Sequence, residues 1–252
     1  MTGTPGCGRP WWERAFGPEY LQVYAHRDDR LARDEVEGLL PRLRSAPGPI
    51  LDVGCGNGRH LEQLAAAGLP SWGFDYSEHL LEIARERAAC RGRLARSDMR
   101  HPAFAPGWGA IVLLFTAFGY FDDAENAACL AALGRLLAPG GWLLVDLPDS
   151  DHVRRSLVPE SRRMTAAGVE IVERRRIDGD RMVKDVGCDQ AEYHESVRLY
   201  APAEISAMVE AAEMRVVDIW SSLRGPGHDD RRRVFWITDR YSASRLSPNT
   251  ES

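Results

Sequence analysis

The sequence predicts an α/β fold in which a parallel sheet carries helices on both faces. A short apolar, β-favouring run, Ile50–Val53, leads through a glycine-rich loop into a stretch with helical periodicity. Acidic residues stand at or near the ends of three successive strand-like segments, at Asp52, Asp75 and Asp98, each 23 residues after the previous one. Residues 110–118 form a continuous apolar run, which is typical of a central parallel strand buried on both sides.

The loop after the first strand has glycine at every second position, at Gly54, Gly56 and Gly58. Glycine permits positive φ angles and lets a ligand approach the backbone closely. The N-terminus of the helix that follows presents free N–H groups to an anionic ligand. Dinucleotide sites use G-x-G-x-x-G, and phosphate-binding P-loops place a lysine after the last glycine. Because this loop has neither pattern, it disfavours a nicotinamide-dependent oxidoreductase; a tight turn without a ligand is the alternative.

Composition limits the function classes. The 252 residues suffice for one large α/β domain, or for a domain with a lid. With 32 basic and 37 acidic residues the net charge is -5, so we expect no overall attraction to nucleic acids or to anionic membranes. The two arginine triplets, at 174–176 and 231–233, stand beside acids in strand-like contexts, which favours solvated sheet faces.

Localisation signals are missing from the sequence. No apolar run approaches the roughly 18 residues of a membrane span, and the N-terminus does not resemble a secretory signal. The 5 cysteines are widely spaced and match neither a disulfide framework nor a zinc pattern. We therefore expect a cytoplasmic protein, a monomer or homodimer, with a small-molecule substrate and without a metal, a nucleic-acid partner or a membrane partner.

The remaining segments fit around this core. Residues 11–43 read as two helices, the first with Phe16, Tyr20 and Tyr24 at intervals of four, and Pro41 is expected to break the second. A helix at 126–137 is expected to stop at Ala138-Pro-Gly-Gly, before a strand at 142–147.

The pattern then changes after Pro148. Alternating residues and the hairpin signal Asp178-Gly-Asp predict about three inserted antiparallel strands before Tyr200. A helix from Pro202 and strands at 214–220 and 234–238 complete the core, and the tail is expected to be disordered.

Together these features resemble the class I methyltransferases that depend on S-adenosylmethionine (SAM). The glycine loop is similar to motif I of that family, and Leu137-Ala-Pro-Gly-Gly before an apolar strand is another of its features. The resemblance implies a Rossmann-like seven-stranded sheet with helices on both faces, in which strand seven lies between strands five and six. It divides the chain into an N-terminal helical cap (1–45), a SAM-binding core (46–147), an inserted antiparallel substrate hood (148–200), the rest of the core (201–240) and a disordered tail (241–252).

The resemblance also implies a set of cofactor residues. In the family the glycine loop packs under the methionine part of SAM. An acid after the second strand accepts hydrogen bonds from the ribose, and one after the third meets the adenine amino group. The implied SAM-binding residues are Tyr20, Tyr24, Arg27, Asp52, Gly54, Cys55, Gly56, Asn57, Asp75, Tyr76, Asp98, Met99 and Phe115. S-adenosylhomocysteine (SAH) would be the product of the cofactor.

The acceptor is less well defined. The Asn/Asp-Pro-Pro-Tyr signature of enzymes that methylate base or glutamine amino groups is absent from residues 115–121, which favours a small organic acceptor. The candidate acceptor-binding residues are Phe118, Tyr120, His152 and Tyr193, and His194 is the candidate general base.

Three functions remain open. The first is methyl transfer to O, N or C of a small molecule, plausibly in secondary metabolism. The second keeps SAM but catalyses a non-methylating reaction such as cyclisation or elimination. The third is a non-catalytic SAM-binding subunit, which would expose an apolar surface in place of an enclosed acceptor pocket.

Overall fold

The computed structural model describes residues 10–165, 168–188 and 191–239. The tail predicted to be disordered lies outside these ranges. The helices are α1 (Pro18–Val23), α2 (Asp29–Leu43), α3 (Arg59–Ala66), α4 (Glu78–Glu86), α5 (Asp123–Gly134), α6 (Ser150–Ser156) and α7 (Pro202–Ala211), with short 3-10 turns at Trp11–Glu13 and Ala88–Cys90.

Eleven strands accompany them in the described ranges. They are β1 (Ile50–Val53), β2 (Ser71–Asp75), β3 (Leu94–Arg96), β4 (Trp108–Leu113), β5 (Leu137–Pro148), β6 (Glu160–Met164), β7 (Glu170–Asp178), β8 (Arg181–Cys188), β9 (Ala191–Arg198), β10 (Met214–Trp220) and β11 (Arg232–Asp239).

The main sheet has seven strands in the order β10-β11-β5-β4-β1-β2-β3. Strands β1 to β5 pair in parallel, whereas β11 runs antiparallel to both β5 and β10. The last strand therefore lies between the fifth and the sixth of this sheet, which confirms the fold predicted from the sequence.

The core strands are buried on both faces, as their apolar runs predict. In β1, Leu51 and Val53 belong to one hydrophobic cluster, while Ile50 belongs to another. In β4, Ile111 likewise faces the first cluster and Val112 the second. Because successive side chains of a strand point to opposite faces, the two clusters are the two helix-covered sides of the sheet.

A separate antiparallel sheet has the strand order β6-β7-β8-β9. The predicted hairpin joins β7 to β8, where Asp178 pairs with Arg181 and Gly179 has φ +56°. The sheet has four strands where the sequence predicted about three. Strand β6 was missed because it is an edge strand of charged and exposed residues, without a buried apolar face.

Three expectations about these elements are wrong. Pro41 does not break α2, which ends at Leu43 as the helical pattern predicted, because its apolar face stays packed in the core through Leu43. Helix α5 ends at Gly134 and β5 already begins at Leu137, so the Pro-Gly-Gly segment lies inside the strand at a register shift opposite Trp108.

The third concerns the apolar run at 110–118. Strand β4 ends at Leu113, and the chain then leaves the extended conformation.

None of the described helices combines the length and the apolar character needed to cross a bilayer.

Candidate functional site

The glycine loop lies at the carboxyl end of β1. Gly54, Gly56 and Gly58 have φ of +69°, +55° and +76°, the left-handed region that glycine adopts without strain. A Cβ at Gly54 would stand 3.1 Å from the Cβ of Ala117. The sequence pattern thus reflects a backbone that passes close to neighbouring atoms before α3 begins.

Asp75 fixes this loop to the end of β2. One carboxylate oxygen accepts the N–H of Gly56 over 2.8 Å, and the other accepts the N–H of Ser77 over 2.8 Å. Burial raises the pKa of this carboxyl group, and the hydrogen bonds from the backbone partly offset that rise. Ser77 itself caps α4 by accepting from Leu80 N.

An apolar cavity lies beside the loop, and together with the open solvent at its mouth it contains about 650 Å³ of space not filled by protein atoms. It is lined by Trp12, Phe16, Tyr20, Gly54, Gly56, Phe74, Asp75, Tyr76, Leu80, Ser97, Asp98, Met99, Phe115, Ala117, Tyr120 and Phe121. The segment before α1 closes one side, with the Trp12 ring 4.9 Å from Tyr76 and 5.6 Å from Phe121.

A polar cavity of about 440 Å³ continues from it on the other side of the loop. It is lined by Tyr20, Leu21, Tyr24, Arg27, Gly54, Cys55, Gly56, Asn57, Arg59, His60 and Phe115. Because four of these residues line both cavities, the two form one cleft around the glycine loop.

Two arginines in the polar cavity have buried donors without a partner among the described residues. Arg27 Nε and Arg59 Nη2 are inaccessible to solvent and make no hydrogen bond within residues 10–165, 168–188 and 191–239. Both guanidinium groups lie over the ring of Phe115, at 4.7 Å and 5.2 Å from its centre. Unpaired buried cationic donors are costly, so this end of the cleft is suited to an anionic group.

A buried carboxylate orients Arg59 from behind. Glu35 lies 2.7 Å from His60 Nε2 and 3.4 Å from Arg59 Nη1. Burial and the charge of Arg59 lower the pKa of His60 to about 4, although Glu35 opposes this. The neutral imidazole therefore acts as a hydrogen-bond donor to Glu35, while Arg59 turns Nη1 to the same carboxylate and leaves Nη2 without a partner in the described part of the chain.

Phe115 is presented to the cleft by a strained turn. Phe115 and Thr116 have φ of +55° and +63°, which is unusual for residues other than glycine. Asp146, fully buried at the end of β5, accepts from Phe115 N over 2.8 Å. Arg232 on β11 pairs with both oxygens of Asp146 and donates to Thr116 Oγ1. This network stabilises the strained turn at the edge of the sheet.

A buried polar cluster joins α1 to the antiparallel sheet. The Tyr24 hydroxyl donates to the Glu195 carboxylate over 2.9 Å and accepts from the Lys184 ammonium. Lys184 also lies 2.7 Å from Glu195 and 3.7 Å from Glu173. Only 6% of Lys184 is exposed, so its charge is balanced inside the protein by these carboxylates.

Most residues expected to bind the cofactor lie around the cleft. The exception is Asp52, which lies behind the loop and is 2% exposed, with no described residue hydrogen-bonded to its Oδ2. Burial raises its pKa to about 7. Asp98 lines the apolar cavity while Arg100 holds its carboxylate.

The residues expected to bind the acceptor are not brought together. Tyr120 lines the apolar cavity. Phe118 lies instead in the core, 5.9 Å from the Tyr200 ring, because the left-handed turn at 115–116 interrupts strand alternation before it. His152 lies on α6 beside a surface hollow, with its Nε2 3.0 Å from Ser156 Oγ.

Neighbouring residues on β9 face opposite ways. The Tyr193 hydroxyl is buried and has no partner in the part of the chain that the structure describes, and the residue packs on the side of the sheet that faces α1. His194 lies on the other side, where Nδ1 is 2.7 Å from Asp185 and the ring lines a separate surface hollow. The structure therefore does not bring His194, the expected base, to the cleft.

Several residues of the site were not expected from the sequence. Arg59 and His60 follow the glycine loop directly, and a basic pair at a helix N-terminus could have indicated an anion site. Glu195 and Lys184 carry no such local signal, because their contact with Tyr24 spans 171 and 160 residues.

Comparison with known proteins agrees with this geometry. The family model described as "Methyltransferase domain" matches residues 50–141. A dTDP-3-amino-3,4,6-trideoxy-alpha-D-glucopyranose N,N-dimethyltransferase of Streptomyces venezuelae is 34% identical over 38% of this chain and 41% of its own. A ubiquinone biosynthesis O-methyltransferase of Xylella fastidiosa (strain 9a5c) is 27% identical over 94% of this chain and 87% of its own.

The chain is also similar to solved structures of methyltransferases. A SAM-bound amino pentose methyltransferase of calicheamicin biosynthesis, from Micromonospora echinaspora, has a TM-score of 0.65 and 28% identity, covering 86% of this chain and 96% of its own. In its strand order, its glycine loop and these matches, the chain is similar to the class I SAM-dependent methyltransferases. Among four curated relatives that are 33% to 36% identical, the match spans only 41% to 55% of the relative's length.

Proposed function

We propose that the protein transfers a methyl group from SAM to a small organic acceptor. The observation that carries the proposal is the arrangement of charge along one cleft. Arg27 and Arg59 have unpaired donors at one end, and the acids Asp75 and Asp98 lie at the other. SAM has the matching order, with a carboxylate at its amino-acid end and hydroxyl and amino donors on its adenosine.

The residues present fit SAM at both ends. Arg27 and Arg59 would hold the carboxylate, and the close backbone at Gly54 and Gly56 would leave room for the methionine chain. Asp75 would accept from the ribose hydroxyls with the lone pairs that its two backbone donors leave free.

The nucleoside end also fits. The adenine would lie in the apolar cavity near Met99 and Tyr76, with Asp98 at its amino group. Cys55 and Asn57, at the loop, and Tyr20, Tyr24 and Phe115, on the opposite wall, complete the expected contacts.

When bound, SAM supplies a methyl group that its positive sulfonium has already activated for displacement. The contribution of this chain is alignment and exclusion of water. Trp12 and Phe16 close the apolar cavity, and Phe115 is fixed between the two cavities by the Asp146 network. Holding the reactants in line can account for about 7–11 kcal/mol of a barrier.

The relatives favour a small-molecule acceptor over a macromolecule. Those named above are an amino-sugar N,N-dimethyltransferase, an amino pentose methyltransferase and a ubiquinone biosynthesis O-methyltransferase. The division into cap, core and hood, the cytoplasmic location, the absence of a nucleic-acid partner and the state as monomer or homodimer remain predictions.

Two alternatives keep the cofactor, namely non-methylating SAM chemistry and a non-catalytic SAM-binding subunit. Product mass with SAH release separates the first from methyl transfer, because methylation adds a methyl group to the acceptor.

The test is calorimetric titration with SAM, SAH, 5′-methylthioadenosine and NADH. 5′-Methylthioadenosine has the nucleoside and the sulfur but lacks the amino-acid carboxylate. We expect R27A and R59A each to weaken SAH binding by about 10- to 100-fold, the effect of a lost charge-assisted hydrogen bond, and to change 5′-methylthioadenosine binding by less than about twofold.

The matched control is R30A, at an exposed arginine of the neighbouring helix α2. Equal losses for both ligands would contradict the orientation proposed for the cofactor. No binding of SAM or SAH, or binding of NADH instead, would contradict the function itself.

A further inference from the structure

Two neighbouring aromatic residues between β4 and α5 form one side of the apolar cavity. We call Tyr120 and Phe121 the aromatic wall. The Trp11 ring lies 5.0 Å from that of Tyr120, and the Trp12 ring lies 5.6 Å from that of Phe121. The wall belongs to neither a helix nor a strand. Its position therefore depends on hydrogen bonds that other elements make to its backbone.

Arg181, the first residue of β8, provides several of these hydrogen bonds. Its Nη1 donates to the carbonyl oxygen of Phe121 over 2.9 Å. Its Nη2 donates to the carbonyl oxygens of Gly119 and Tyr120, over 3.0 Å in each case. Three successive carbonyl groups thus converge on one guanidinium group. Because a guanidinium carries five N–H donors in a rigid plane, it can hold several acceptors in one defined arrangement.

The other side of the same guanidinium group is fixed to β9. Nε of Arg181 donates to Ser196 Oγ over 2.8 Å, and Nη2 also donates to the Ser196 carbonyl over 2.7 Å. Arg198, which stands opposite Arg181 on β9, pairs instead with the carboxylates of Asp123 and Glu204. Arg181 therefore holds backbone oxygens where its neighbour holds acids, and it joins the antiparallel sheet to the aromatic wall.

Backbone contacts extend this connection at both ends of the wall. Arg198 N donates to the carbonyl of Gly119 over 2.9 Å. Gly119 has φ +95°, and a Cβ there would stand 3.2 Å from the carbonyl oxygen of Arg198. At the other end, Asn126 of α5 donates to the carbonyl of Phe121 over 2.9 Å. The segment is thus anchored to the antiparallel sheet at Gly119 and to the core at Phe121, and Arg181 contacts both ends.

We propose that Arg181 is a positioning residue: it fixes the aromatic wall and so sets the width of the cavity in which the nucleoside end of SAM would lie. The inference rests on the proposed function for the identity of the ligand. The contacts that carry it belong to this chain alone. The antiparallel sheet then acts on the cleft through the backbone of the wall.

The first measurement is fluorine NMR of the ligand-free protein with 5-fluorotryptophan in place of tryptophan. The chain has 7 tryptophans. W11F and W12F identify the signals of the two rings that contact the wall. The other rings lie on strands of the main sheet, at Trp72, Trp108, Trp142, Trp220 and Trp236.

We expect R181A to shift or broaden the Trp11 and Trp12 signals and to leave the main-sheet signals unchanged. R181K should behave in the same way, because a lysine keeps the charge but has a single nitrogen that cannot span three carbonyl groups. A general loss of structure would not be confined to these two signals.

The second measurement is the calorimetric affinity for 5′-methylthioadenosine. We expect R181A and R181K to lose about three- to tenfold, the effect of a wall that occupies its binding position only about a third to a tenth of the time. The matched control is R176A, at an exposed arginine of the same sheet that pairs with Asp185. It should keep the wild-type spectrum and an affinity within about twofold of the wild type.

S196A is a milder variant that removes only the hydroxyl acceptor of Arg181 Nε. We expect it to shift the same two signals by a smaller amount. If R181A disturbs all the signals, S196A decides: a shift confined to Trp11 and Trp12 supports the inference, and an unchanged spectrum overturns it.

Two further results would overturn the inference. R181K behaving like the wild type would show that the charge alone is sufficient, and R181A behaving like R176A would show that the wall is positioned without Arg181. Failure of the proposed function is recognised separately, because the wild type would then bind neither 5′-methylthioadenosine nor SAH. The fluorine spectra of the ligand-free protein would still test Arg181 in that case.

Discussion

The carboxylate of Asp75 accepts the backbone N–H of Gly56 over 2.8 Å, although 19 residues separate them in the chain. This contact joins the end of β2 to the middle of the glycine loop. Asp75 and the glycine loop, which stand apart in the sequence, therefore form one structural unit. Any ligand that uses the loop is also positioned relative to Asp75.

The first prediction concerns this unit. D75A leaves the amides of Gly56 and Ser77 without their acceptor, so we expect SAH affinity to fall by about 10- to 100-fold. If Asp75 also binds the ribose, the wild type should prefer adenosine to 2′-deoxyadenosine, and D75N should lose that preference. Calorimetry measures both effects. The exposed E82Q on α4 is the control, and a preference that survives in D75N would exclude the ribose role.

The second prediction separates backbone strain from close approach. Gly54 and Gly68 both have positive φ, at +69° and +80°. A Cβ at Gly54 would stand 3.1 Å from Ala117, whereas one at Gly68 would meet no atom within 4 Å. Each alanine variant should lose about 1–2 kcal/mol of unfolding free energy through strain.

Only G54A should also weaken SAH binding, because only its methyl group enters the cleft wall. Urea unfolding measures the unfolding free energy of each variant, and calorimetry on the same samples measures its SAH affinity. Equal SAH affinities for G54A and G68A would mean that the backbone at Gly54 is not approached by the ligand.

The local parts of the site could be predicted from the sequence. The glycine loop, Asp75 and Asp98 each stand at or just after a short strand-like segment and recur at regular spacing, so the sequence is sufficient to locate them. The long-range parts could not be predicted. The Tyr24–Glu195 contact spans 171 residues and depends on how the antiparallel sheet packs on α1.

Backbone geometry limited the prediction in a second way. Phe118 was expected in the site because the apolar run appeared continuous to that point. The left-handed conformations of Phe115 and Thr116 have no sequence signal, since neither residue type favours positive φ. They are stabilised by Asp146 and Arg232, which come from distant strands.

The third prediction tests that stabilisation. D146A would leave Arg232 as a partly buried charge without its carboxylate and Phe115 N without its acceptor. We expect a loss of about 3–5 kcal/mol in unfolding free energy, together with weaker SAH binding as Phe115 moves. The control is D229N, whose ion pair with Arg231 is exposed and should contribute less than about 1 kcal/mol. A D146A variant as stable as D229N would show that the turn does not depend on this network.

The last prediction concerns pH and follows from His60. Its pKa is lowered to about 4 in the folded protein, whereas an unperturbed histidine titrates near 6.5. Between these values the unfolded chain binds the proton more tightly, so stability falls as pH falls from about 6.5 towards 4. The loss at pH 5 should be on the order of 2 kcal/mol. Burial raises the pKa of Glu35, but the hydrogen bond with His60 and the charge of Arg59 outweigh it and lower the pKa overall. The stability that this carboxylate contributes is therefore present above its ordinary range and is lost only as pH falls below it.

Urea unfolding of the wild type and H60Q at several pH values measures this slope. H60Q keeps a donor toward Glu35 but cannot titrate, so its stability should change less between pH 7 and pH 5. H152Q, at a partly exposed histidine on α6 outside the Glu35–His60–Arg59 group, is the control and should keep the wild-type slope. Parallel pH profiles for the wild type and H60Q would show that His60 titrates normally and that Arg59 is not held by a neutral imidazole and a buried carboxylate.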